Sequence, residues 1–95
     1  MSPLNAIASK IIKEQELIIG PLAWSEAAKV PGLKIVDQKT GSVDITGEDQ
    51  KTTINRLVAQ YERLFGRASH EVCREAAAAL IGGLPAGEIP ASLLA

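Results

Sequence analysis

Between Lys51 and Ile81, apolar side chains return at steps of four and three: Ile54, Val58, Tyr61, Phe65, Ala68, Val72 and, once Glu75 has taken one turn, Ala79. This is the spacing of a helix-packing seam. Every aromatic residue except Trp24 lies on it. Gly66 falls inside the seam and leaves two readings open. It either ends a helix at Phe65, with Ser69 capping a second helix from His70 to Ile81, or sits within one long helix at a cost of about 1 kcal/mol relative to alanine.

Upstream, Ser2 is placed to cap a helix that has Pro3 in its first turn, and Leu4, Ile7, Ala8, Ile11, Ile12 and Ile18 share one broad face over 3–19. A strand at 17–19 is the rival reading. Gly20-Pro21 breaks the helix, and Pro21 starts a short second one through Trp24, Ala27 and Ala28, so that 3–30 reads as helical. The period then changes to alternation. Leu33 and Ile35, followed by Val43 and Ile45 across Lys39-Thr40-Gly41, predict a β-hairpin over 33–46. A lone hairpin is marginal in water, so it must lie on the helices or pair with a second copy. Thr46 with Asp49 resembles a capping box that starts the next helix near Gly47, giving helical structure over 47–81. Gly82, Gly83, Pro85, Gly87 and Pro90 mark 82–95 as a loop-rich tail, with Ile89, Leu93 and Leu94 to pack or dangle. The expectation is a single α+β domain over 1–95: two N-terminal helices, one short β-hairpin and a long, Gly66-broken or continuous, C-terminal helical section.

At 95 residues the chain buries only about 60–65% of its unfolded surface. With 46% apolar but 3% aromatic residues, its core must come from Leu, Ile, Val and Ala. Such a core gains from a partner surface, and Ile54, Val58, Tyr61, Phe65 and Val72 are the expected interface, either in a homodimer or with another protein. A net charge of −1 and a pI near 5.8 give no overall attraction to nucleic acid or to an anionic membrane. The apolar run Leu17–Trp24 is too short to span a bilayer and does not read as a signal peptide. A solitary Cys73 excludes an intramolecular disulfide and a CxxC motif, which points to the cytoplasm.

Charge is unevenly distributed. Segment 51–74 holds five cationic side chains against two acidic ones, whereas 37–49 holds four acidic against one cationic. On a continuous helix Arg56, Arg63, Arg67 and Arg74 would form a stripe opposite the seam, suited to an acidic partner or a phosphate-bearing ligand. The run Ala68-Ser69-His70-Glu71 resembles the Ser-His-Glu core of the histidine-kinase phosphoacceptor helix. The resemblance implies an imidazole nucleophile at His70 and a proton-accepting carboxylate at Glu71. It spans about four residues; Val72 and Arg74 depart from the Arg-Thr-Pro continuation, and no Gly-rich ATP motif accompanies it. His70 and Cys73 offer two ligands on one helical face, too few for zinc, so no metal or cofactor is expected. No catalytic constellation emerges. The sequence reads as a non-enzymatic cytoplasmic protein-interaction or regulatory module that self-associates through an amphipathic helix. A His70 phosphotransfer module and an anion-binding regulator using the Arg stripe are its alternatives.

Overall fold

The computed structural model describes residues 3–46, 49–85, 87 and 89–93. Pro3–Ile19 forms helix α1, whose stripe of Leu4, Ile7, Ala8, Ile11 and Ile12 is buried as its spacing requires. Helix, not strand, therefore continues through 17–19; the proposed Ser2 cap lies outside the described residues. The Gly20 N–H closes α1 on the Glu16 carbonyl at 2.9 Å, and Leu22–Ala27 forms α2. Trp24 is a core residue, its ring buried and its indole N–H donating to Glu16 Oε2 at 2.8 Å.

Leu33–Asp37 (β1) and Ser42–Ile45 (β2) pair antiparallel, with Leu33 opposite Ile45 and Ile35 opposite Val43. The register slips between Ile35 and Asp37, and Val36 is left exposed at this bulge. Leu33, Val43 and Ile45 are buried, since β2 lies against α1. Two side chains of α1 secure the contact: Asn5 Oδ1 accepts from the Ile45 N–H at 3.2 Å, and the Ser9 hydroxyl donates to the Gly41 carbonyl. The hairpin thus rests on its own chain's helix.

Gln50–Phe65 forms α3, capped by Asp49 rather than by Thr46. The Asp49 carboxylate accepts from the Thr52 N–H at 3.2 Å and from the Thr52 hydroxyl at 2.7 Å, and these bonds hold its carboxyl below the usual aspartate range. Thr46 lies three residues before this cap, and its N–H, at 2.7 Å, and hydroxyl, at 3.3 Å, both donate to the Gly32 carbonyl, closing the base of the hairpin. Gly47 lies outside the described residues.

Arg67–Ile81 forms α4, so Gly66 does break the helix. Its φ of 86° and ψ of −175° belong to a region that side chains avoid. The second helix starts earlier than a Ser69 cap would place it, and Ser69 is instead buried in the first turn of α4. The turn folds α4 back onto α3 and along α1, which makes α1 the central element of the core. The tail also packs. Pro90 and Leu93 are buried, and a 3-10 turn at Ala91–Leu93 sits against α3 and α4. Lys51 Nζ donates to the Gly87 carbonyl at 2.7 Å, and the N–H and hydroxyl of Ser92 both donate to Asn55 Oδ1, at 3.1 and 2.6 Å. Leu94 lies outside the described residues.

Candidate functional site

The first half of the seam is core. Ile54, Val58 and Tyr61 are almost wholly buried within the single chain, and the Tyr61 hydroxyl donates to the Ala23 carbonyl of α2 at 2.6 Å. Burial raises the phenol well above its ordinary pKa. These three residues therefore offer no surface to a partner. Phe65 and Val72 are half-buried, and Ala68 and Ala79 are exposed. The seam does not continue across Gly66, because the turn redirects the chain.

The surface that is open lies elsewhere. Leu17 is 79% exposed and Ile18 61% exposed, and together with Val72 and Ala76 they line a groove of about 510 Å³ between α1 and α4. Lys10, Glu14 and Glu75 border it, with Lys10 and Glu14 paired at 2.9 Å. Ile18 belongs by period to the buried face, but one turn earlier Gln15 already donates to the Ser69 carbonyl in the first turn of α4 at 2.9 Å. Beyond Gln15 there is little of α4 left to cover α1. Leu17 is set about 120° away from Ile11 around the helix, and that offset was a signal available from the sequence.

Gly66 also dissolves the arginine stripe. Arg56 and Arg63 remain together on α3 and line a groove of about 240 Å³ with Lys29, Gln60 and Pro31. Arg67 is exposed on α4, and Arg74 binds both Glu71 carboxylate oxygens at 3.1 Å. Lys29 joins the arginines through tertiary structure alone.

His70 is held at both ring nitrogens. Nδ1 lies 2.6 Å from Glu62 Oε2, and Nε2 lies 2.6 Å from the Ser92 carbonyl oxygen. A carbonyl only accepts and a carboxylate only accepts, so the arrangement is fully satisfied by the imidazolium. The Ser92 carbonyl raises the ring's pKa most; burial opposes it, and the charges of Glu62 and Glu71 add to the rise. A phosphoacceptor needs a free ring nitrogen, whereas this ring joins α3, α4 and the tail. The acid at its side is Glu62 from α3, while Glu71 is turned to Arg74.

His70 should consequently make stability depend on pH. Its folded pKa exceeds the unfolded value of about 6.5, so its contribution is complete below that pH and is lost as pH rises through the folded value. The difference in urea midpoint between the wild type and His70→Ala is expected to shrink from about pH 6 towards pH 9. A ring that titrates below the free-histidine value by NMR would contradict the clamp.

Cys73 is buried, receives the Gln15 amide at 3.4 Å, and has its thiol pushed up to about 11 by burial. That is the environment of a packing residue rather than of a nucleophile. Among the described residues no group of three His, Cys, Asp or Glu side chains is placed to hold a metal ion, and no helix is long and apolar enough to cross a membrane. No protein-family model matches the chain, and no significant match was found to a curated protein or to a solved structure.

Proposed function

We propose that this chain is a non-catalytic, cytoplasmic protein-interaction module that self-associates through the groove between α1 and α4. The observation that supports this reading is the exposure of Leu17 and Ile18 beside Val72, on a protein whose remaining large aliphatic side chains are mostly enclosed. The border of the groove favours a second copy as the occupant. It carries both signs, Lys10 against Glu14 and Glu75, so a two-fold pairing can set Lys10 of one copy against Glu75 of the other. An all-acidic or all-basic border would have pointed to a partner of opposite charge.

Sedimentation equilibrium over about a hundredfold range of concentration tests the reading. The wild type is expected to form dimers, and Leu17→Glu with Ile18→Glu to remain monomeric with unchanged circular dichroism, because both side chains already face water. A wild type that stays monomeric throughout would remove self-association from the reading.

A further inference from the structure

A second surface, sharing no residue with the α1–α4 groove, has the chemistry of a receptor for carboxylates. Lys29, Arg56 and Arg63 line it, and it is partly organised before anything binds. Glu26 is buried and accepts from Lys29 Nζ at 2.9 Å and from Gln60 Nε2 at 2.8 Å. Those two bonds keep its carboxyl below the usual glutamate range and leave it no need of a further cation. Because the Gln60 amide nitrogen is committed to Glu26, its Oε1 faces outward and receives Arg63 Nη2 at 2.7 Å. Arg63 is thereby held at the groove. Arg56 makes no hydrogen bond or ion pair among the described residues, so its guanidinium fork is free. One carboxylate stands against three cations, and two positive charges remain uncompensated.

Spacing and size select the ligand. Arg56 and Arg63 are seven residues apart on α3, about 10 Å along its axis. A single compact anion does not reach both positions at full strength. A polyproline-II segment does, because residues i and i+3 lie on the same side of it about 9 Å apart. At about 240 Å³ the groove is smaller than a drug-sized pocket and suits side chains presented by an extended chain. Val30, Pro31 and Ala59 supply apolar wall between the charges.

We infer that the groove between the α2–β1 connection and α3 docks an extended acidic segment of a partner protein, with carboxylates three residues apart taken by Arg56 and Arg63. The inference rests on the reading of the chain as a protein-binding module but not on its self-association. Arginine is suited to the task because each fork can take a carboxylate with two parallel hydrogen bonds.

The probe is a dye-labelled Gly-Glu-Pro-Pro-Glu-Gly peptide, followed by fluorescence anisotropy against the full chain, with a Gln-for-Glu peptide as control. Binding is expected to weaken at least about tenfold in Arg56→Glu with Arg63→Glu and to fall as salt screens the charges. Arg67→Glu with Arg74→Glu should leave it unchanged, and so should Leu17→Glu with Ile18→Glu, which isolates this groove from the self-association surface. Equal binding of the Gln peptide, equal binding by the Arg56/Arg63 variant, or no binding at about 1 mM protein would overturn the inference. Protection of the groove by inorganic phosphate without any peptide binding would make it a small-anion site and would equally overturn the docking of a protein segment.

Discussion

Tyr61→Ala is expected to destabilise the chain by about 3–5 kcal/mol, the range for removing a fully buried aromatic ring. For a domain of 95 residues, whose total stability is about 5–14 kcal/mol, that is about a fifth of the whole or more. Thermal midpoints should fall by at least about 12 °C, since each kcal/mol moves a domain of this size by about 4–8 °C. Ring and hydroxyl contribute separately. Tyr61→Phe keeps the ring but removes the bond to the Ala23 carbonyl, and should lose only about 1 kcal/mol. Measured in the Leu17→Glu, Ile18→Glu background, which is designed to block the proposed self-association, the Tyr61→Ala loss should not depend on protein concentration. A loss that varied with concentration there would return the first half of the seam to an intermolecular role. Phe65→Ala should cost less than Tyr61→Ala, because its ring is only half-buried.

Local chemistry carried most of the fold into the sequence. The helical period from Leu4 to Ile12, the Gly20-Pro21 stop and the switch to alternation at Leu33 each reflect a constraint acting within a few residues, and each element formed where that constraint placed it. What the sequence concealed depends on where elements end relative to one another. Ile18 has the period of a core residue, yet its burial requires α4 to extend beyond Gln15, and α4 begins at Arg67. Thr46 has the identity of a helix cap, but its N–H and hydroxyl both close the hairpin on the Gly32 carbonyl, and the helix starts four residues later. Neither fact is local.

The candidate sites were less legible for the same reason. A run of arginines at helical spacing is visible on any continuous helix, but Lys29 meets Arg56 only because the α2–β1 connection is folded onto α3. Nor does anything near His70 in sequence announce Glu62, eight residues away, or Ser92, twenty-two residues away. The four-residue resemblance to a phosphoacceptor helix pairs His70, the one histidine of the sequence, with the carboxylate next to it in the chain. Glu71 is the sequence neighbour, and Glu62 is the spatial one.

Gly66→Ala is expected to cost about 1–3 kcal/mol although the added methyl group meets nothing within 4 Å. The penalty is entirely conformational: φ of 86° with ψ of −175° is accessible to glycine and costly for any residue with a Cβ. Relief by relaxation is blocked on both sides. The Gly66 N–H already closes α3 on the Glu62 carbonyl at 2.8 Å, and its carbonyl accepts from the Ser69 N–H at 3.1 Å to start α4. Rotating the peptide out of the strained region breaks one of these bonds or moves α4 away from α1, where the Gln15 amide meets Ser69 and Cys73. Alanine elsewhere in a helix is favourable, so the same change at an ordinary interior glycine would stabilise by about 1 kcal/mol. The sign of the effect is therefore diagnostic. Urea unfolding of Gly66→Ala that showed a gain in stability would mean that α3 and α4 run as one helix, restoring the unbroken seam and with it the four-arginine stripe.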